Sequence, residues 1–321
     1  MSGEFNLIEK YFVGRQMSRS DVLLAAGDDC ALVTVPQGLS VAISTDTLVS
    51  GTHFLPSADP ALVAHKALAS NISDLAAMGA TPAWVSFALT MPEADEAWLA
   101  PFCEAFFQLA DYFGIQLIGG DTTKGPLSLT LTVQGLVDPV KALRRDGAQV
   151  GDWLYVTGNL GDSKAGLDVI LHPEQGSKPF ASELEKRHYL TTPRVLVGQA
   201  LLGLASSAID LSDGLISDIK HILQRSAVGA SIDVGSLPVS PELTQFTGDA
   251  ELALQYALTS GEEYELCFTV PEQNKGSIDS ALAHCGAKIT CIGQIRPQGV
   301  FELHNNGKPI DWSLSGYDHF K

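Results

Sequence analysis

Five segments of this chain share one pattern, an apolar run that carries or ends in oxygen-bearing side chains beside small residues. They are GDDCALV (27–33), AISTDTLVSGTHF (42–54), NISDLAAMGA (71–80), LIGGDTT (117–123) and IDLSDGL (209–215). Strands that deliver acids at their ends, alternating with helices, point to layered α/β or α+β domains. Taken singly, most of these acids read as turn formers or helix caps, the usual fate of Asp beside Gly, Ser or Thr. Asp74 resists that reading, because it lies within an apolar helical pattern where an unpaired carboxylate is costly. Taken together, the segments describe a polyphosphate site. Small residues let a polyphosphate approach the backbone, and Mg²⁺ shares its octahedral shell among carboxylates, water and phosphates. Four to six aspartates of this kind can hold more than one Mg²⁺ around a nucleoside triphosphate.

The pattern along the chain sets the frame for these acids. ALVTV and SVAIS read as a hairpin turning at 36–38. DPALVAHKALASNISDLAAMG reads as a long helix, with Asp59 as N-cap, Pro60 in the first turn and Gly79 closing it. AWVSFALTM is a strand, 95–113 a helix that Pro101 breaks or restarts, and IQLIGG and LSLTLTVQGLV are strands. Turn residues then precede a fresh strand at 153–157, so the chain divides near residue 148 into domains 1–148 and 149–321. Beyond that point, helices near 163–171, 193–206, 215–225, 250–259 and 276–285 alternate with strands near 207–210, 229–234, 265–270 and 289–295. The stretch 172–186 reads as a mobile surface connection.

Composition removes several function classes. The chain has 321 residues and a net charge of −17, from 37 acidic against 20 basic residues. No basic patch suits a nucleic-acid backbone, so an anionic ligand would need metal ions to neutralise it. No apolar run is long enough for a bilayer, and MSGEFNLIEKYF lacks the character of a signal peptide, so a cytoplasmic enzyme is expected. Five cysteines without C-x-x-C spacing argue against a disulfide framework or a structural zinc site. There is no P-loop, no protein-kinase signature and no G-x-S-x-G elbow. GNLGDSKAG (158–166) is Gly-rich, but a loop before a helix explains it equally well.

Four further places carry chemistry. Arg144-Arg145 reads either as a solvated hinge or as a bidentate phosphate contact. His53 follows the STDT stretch by a short loop; alone, it is an ordinary histidine. SGEEYELCF (260–268) puts two acids ahead of an alternating strand, and DWSLSGYDHF (311–320) gathers aromatic residues suited to docking the tail.

In this order, the five segments with GEEYELCF and GYDHF resemble the thiamine-monophosphate kinase family over nearly the whole chain. The resemblance implies a two-domain, aminoimidazole-ribonucleotide-synthetase-like α/β (α+β) fold. Its N-terminal domain would bind ATP and Mg²⁺ and pair its sheet with that of a second copy in a homodimer. Its C-terminal α/β domain would complete the substrate site. The activity implied is transfer of phosphate from ATP to thiamine phosphate, giving thiamine diphosphate, with several Mg²⁺ ions and a monovalent cation as an optional further ion. By matched positions, Asp29, Ser44, Thr45, Asp46, Asp74, Asp121, Asp210 and Asp213 would hold metal. Gly120, Arg145 and Ser212 would contact ATP, and His53, Glu262 and Tyr317 the thiamine phosphate. No covalent or general-base residue is expected. Two positions depart from the family pattern: Glu263 stands where Asp is expected, and Ala26 where Ile is common. A two-metal phosphohydrolase and a cation-binding structural protein are the readings from other classes.

Overall fold

The computed structural model describes residues 4–16, 18–312 and 314, and in it the chain forms two compact units. Met1–Leu75 with Ala80–Val140 make the first; Ala76–Gly79 with Lys141–Lys321 make the second. The mixed helix-and-sheet composition of both agrees with the α/β (α+β) class expected from the sequence.

The first unit runs α1 (Glu4–Tyr11), β1 (Val22–Leu24), β2 (Leu32–Val33), β3 (Ser40–Val49), α2 (Pro60–Ala77), β4 (Thr81–Met91), α3 (Glu96–Tyr112), β5 (Gln116–Lys124) and β6 (Ser128–Val137). Its main sheet has the order β3-β6-β4-β5, antiparallel except for the β4–β5 pair. Phe87 of β4 stacks on Phe102 and Phe106 of α3 at 5.6 and 5.7 Å, one centre of the core on the helical side of the sheet. At one end of the other face, β1 and β2 supply Val22 and Val33 against Trp84, Ile118 and Val41.

Two expectations fail here. β2 pairs with β1 and not with β3, which instead runs in register with β6 for ten residues, from Ser40↔Val137 to Val49↔Ser128. The long alternating partner outcompetes the short hairpin. Nor does Pro101 interrupt α3: Asp95 caps the helix by accepting from the Ala97 and Trp98 N–H groups, and the helix continues to Tyr112. The proline forfeits one backbone bond, while Leu99, Phe102, Cys103, Phe106, Phe107 and Ala110 bury a continuous stripe.

The second unit continues with β7 (Trp153–Thr157), α4 (Asp162–Leu171), α5 (Ala181–Tyr189), α6 (Val195–Ala200), β8 (Ser207–Asp210), α7 (Leu215–Ser226), β9 (Val228–Asp233) and α8 (Pro241–Thr247). It ends with α9 (Ala250–Thr259), β10 (Leu266–Val270), α10 (Glu272–Leu282), β11 (Ile289–Pro297), β12 (Phe301–Asn305) and β13 (Lys308–Pro309). Its seven strands order as β13-β12-β9-β11-β7-β10-β8, antiparallel but for β12–β9. The 172–186 stretch is not a bare connection. It holds a short 3₁₀ turn and most of α5, whose Ala181 and Leu184 pack with Ala165 and Val169 of α4.

Candidate functional site

In the first unit, strand parity decides which of the expected ligands meet. Ser44 and Asp46 share the face of β3 that carries buried Leu48, and the Ser44 hydroxyl donates to Asp74 Oδ2 from α2 at 2.5 Å. Burial and the neighbouring charge of Asp74 push the Asp46 carboxyl up to about 6. Two carboxylates and a hydroxyl thus lie close together in a half-buried place, an acceptor-rich set that suits a hard cation.

Thr45 belongs to the other face, where its hydroxyl pairs with Thr132 as that of Thr47 does with Thr130. Register carries this face across the sheet through Thr47↔Thr130, Thr130↔Ala88 and Ala88↔Asp121. Asp121 therefore lies on the face opposite Asp46 and three strands away, roughly 14 Å by ordinary strand spacing. Gly120 has a structural reason to be glycine, since a Cβ there would fall 2.0 Å from Phe87 O. Asp29 is exposed in the β1–β2 loop, where its N–H donates to Asp28. His53 Nδ1 accepts from the Val49 N–H at 3.0 Å.

The sequence reading missed Lys66. It is fully buried in α2, and its Nζ donates to the His53 carbonyl at 3.3 Å, tying the His53 loop to the helix that carries Asp74. The available signal was a lysine inside an apolar helical pattern.

In the second unit, strand pairing gathers the expected residues. β8 pairs with β10 through Asp210↔Leu266, and the contact runs on past the strand ends. Leu211 N–H donates to Glu265 O, Glu262 N–H to Ser212 O, and Tyr264 N–H to Leu211 O, at 2.8–2.9 Å. Asp210, Ser212 and Glu262 are thereby held on adjoining backbone. Glu262 and Tyr264 have left-handed φ of 58° and 54°, conformations that non-glycine residues adopt mainly where the surroundings impose them. The loop carrying Asp213 is fixed by Asp218 of α7, whose Oδ2 accepts from the Asp213 and Gly214 N–H groups at 3.0 Å each. Asp218 was also missed, although an acid in the first turn after Asp-Gly is a legible capping signal. Arg144 forks onto Asp146. Exposed Arg145 makes no side-chain hydrogen bond or ion pair with a described residue. Tyr317 lies outside the described residues.

Glu263 has a different part from Glu262. It is buried, and its Oε1 accepts from the Gly161 and Ser163 N–H groups and the Ser260 hydroxyl, at 2.7, 3.1 and 2.5 Å. The amides of the Gly-rich loop at the start of α4 are thus occupied by a carboxyl group of the protein. Burial, with Asp162 adding to it, pushes Glu263 up to about 8. The folded form then holds a proton that the unfolded chain releases near the ordinary glutamate value of about 4.3, so stability from this group falls as pH rises from there through 8. Glu263→Gln, which mimics the protonated acid, should flatten the loss of melting temperature between pH 6 and pH 9; an unaltered slope would contradict this. Glu263→Ala should cost about 2–4 kcal/mol by leaving the helix amides unpaired.

Among the described residues, no group of three or more His, Cys, Asp or Glu side chains stands ready to hold a metal, and no helix is long and apolar enough to cross a membrane. A Mg²⁺ site does not demand such a cage, because one or two carboxylates with water and substrate phosphates suffice. The Ser44, Asp46 and Asp74 set meets that requirement.

Comparison with known proteins places this architecture. Residues 27–137 match AIR synthase related protein, N-terminal domain, and residues 149–305 match AIR synthase related protein, C-terminal domain, so the class is that of a two-domain AIR-synthase-related protein. Thiamine-monophosphate kinase of Escherichia coli K12 is 54% identical over 321 residues, covering 99% of this chain and 98% of its own. The crystal structure of thiamine-monophosphate kinase from Stenotrophomonas maltophilia superposes with a TM-score of 0.85 at 41% identity, covering 96% of this chain and 98% of that one. AaThiL complexed with AMPPCP and TMP superposes at 0.78 with 30% identity, covering 99% and 97%. The chain belongs to the thiamine-monophosphate kinase family, a family of phosphoryl-transferring enzymes.

Proposed function

We propose that this protein transfers the γ-phosphoryl group of ATP directly to thiamine phosphate, giving ADP and thiamine diphosphate, the last step in making that coenzyme. Support comes from the family together with one local observation, the half-buried Asp46–Asp74–Ser44 set with its cation-binding chemistry. A relative of the same fold has been solved in complex with AMPPCP and TMP.

Roles follow from chemistry. Asp46, Asp74 and Ser44 hold Mg²⁺, with Asp29, Thr45 and Asp121 serving further ions and Asp210 and Asp213 acting from the C-terminal unit. Thr45 has its backbone oxygen to offer while its hydroxyl is paired. Bound Mg²⁺ supplies charge neutralisation and polarises the γ-phosphate. Arg145, whose neighbour Arg144 is already engaged by Asp146, contacts the nucleotide phosphates, with Gly120 and Ser212. Glu262 and the aromatic Tyr317 face the cationic thiazolium, and His53 the phosphate of the acceptor. That phosphate is ionised near neutral pH, so phosphoryl transfer asks for alignment and needs no strong base. We also propose a cytoplasmic homodimer paired through the exposed threonine face of the first unit. Because Asp121 lies on that face, its service to a metal is tied to the pairing.

Incubation with ATP, Mg²⁺ and thiamine phosphate should yield ADP and thiamine diphosphate in equal amounts. A single in-line step predicts inversion at a chirally labelled γ-phosphorus; retention would point to a phosphorylated enzyme. Free phosphate alone would make the protein a hydrolase, and no turnover a cation-binding protein.

A further inference from the structure

Glu262, assigned above to the thiazolium, does not stand alone in its unit. His188 of α5 is 2% exposed, and its Nε2 lies 3.5 Å from Glu262 Oε2. The other ring nitrogen, Nδ1, is 3.0 Å from the Ser163 hydroxyl and 3.1 Å from the Ser163 carbonyl oxygen. When the Ser163 hydroxyl donates to Nδ1, the neutral ring carries its proton on Nε2, directed at the carboxylate. When the ring is protonated, Nδ1–H donates to the Ser163 carbonyl and Nε2–H still faces Glu262. In both of these states Nε2, the nitrogen 3.5 Å from Glu262 Oε2, carries a hydrogen.

The placement of His188 is built into the packing. Gly166, less than one turn beyond Ser163 on α4, leaves room for α5: a Cβ there would fall 2.2 Å from Leu184 O and 2.9 Å from His188 Cβ. Only a glycine lets α5 come this close, and the approach carries the imidazole to the start of α4. Glu262 needs such support, because its backbone has φ of 58° and its side chain leaves a loop end and not a regular strand.

We propose that His188 is a positioning residue for Glu262. It orients the carboxylate that receives the cationic ring of thiamine phosphate, and so sets the affinity for that substrate and not for ATP. The inference rests on the assignment of Glu262 made above.

Steady-state kinetics of the full chain test it with His188→Ala, His188→Gln, Glu262→Ala and the double variants. His188→Ala should raise the KM for thiamine phosphate about tenfold, the scale of one hydrogen bond to a charged group, and leave the KM for ATP within about twofold. His188→Gln, whose amide can reach the position of Nε2, should recover most of the loss. Adding either His188 change to Glu262→Ala should cost nothing further. If the KM values for ATP and thiamine phosphate rise together, or the effects of the two sites multiply, His188 is structural and the inference is overturned. A wild-type KM in His188→Ala beside a raised one in Glu262→Ala overturns the inference alone. An unchanged KM in Glu262→Ala overturns the assignment of Glu262 and the inference with it. Should His188→Ala not fold, His188→Phe, which keeps a ring and removes both nitrogens, takes its place in the cycle: effects that multiply with those of Glu262→Ala overturn the inference, and a raised KM for thiamine phosphate that is absent from the Glu262→Ala background supports it.

Discussion

Asp46→Asn is expected to lower turnover by at least about a thousandfold, some 4 kcal/mol of transition-state stabilisation, while the fold persists. The amide keeps the size of the side chain and removes the charge that would grip a cation. The same substitution should not weaken the metal-free protein. Burial and Asp74 raise the Asp46 carboxyl to about 6, so above that pH the folded chain carries an ionised group that it disfavours relative to the unfolded chain. The shift of roughly two units corresponds to an upper bound of about 3 kcal/mol, which in a chain of this size is a rise of several degrees in melting temperature. In EDTA at pH 8, Asp46→Asn should melt at or above the wild-type temperature, and at pH 4 the difference should vanish. A protein that gains stability as it loses activity has a functional carboxylate at that position. Wild-type activity at ordinary Mg²⁺, or a lower melting temperature in EDTA, would remove Asp46 from the site.

The second large effect falls in the other unit. Asp210 is buried at the end of β8, opposite Leu266 of β10, and leads directly into the Ser212–Asp213 loop that Asp218 fixes. Asp210→Asn should lower kcat/KM by at least about a hundredfold, near 3 kcal/mol, and should raise the Mg²⁺ concentration giving half-maximal rate. The Mg²⁺ dependence separates a ligand from a structural acid, because a strand-end acid with only a packing role would lower the rate without moving that concentration. An unshifted Mg²⁺ dependence would confine metal binding to the first unit.

Much of this was legible in local pattern. The β6 alternation, the α2 helix with Asp59 accepting from the Ala61 N–H at its start, and the strand ending at Asp210 appear where periodicity and turn residues place them, whereas β3 and β5 run past Asp46 and Asp121 to Val49 and Lys124. Asp74 stood out because a carboxylate within an apolar stripe needs a partner, and Ser44 supplies one. What stayed hidden was long-range. Ser44, Thr45 and Asp46 read as one row of ligands, yet a period of two sends Thr45 to the other face. Where Asp121 lies relative to Asp46 follows only from the register across four strands. Glu262 and Glu263 are neighbours of one type, and a left-handed turn sends one to His188 and buries the other under the start of α4. His188 declares itself only through Ser163 and Glu262, 25 and 74 positions away.

The central claim is that acids from both halves of the chain hold metal for a reaction between two anions. Anomalous diffraction from crystals grown with Mn²⁺ in place of Mg²⁺, a non-hydrolysable ATP analogue and thiamine phosphate tests it most directly. Peaks are expected at coordination distance, about 2.0–2.3 Å, from the carboxylates of Asp46 and Asp74 and of Asp210 or Asp213. Metal bound to the nucleotide with none of these side chains as ligands would contradict it.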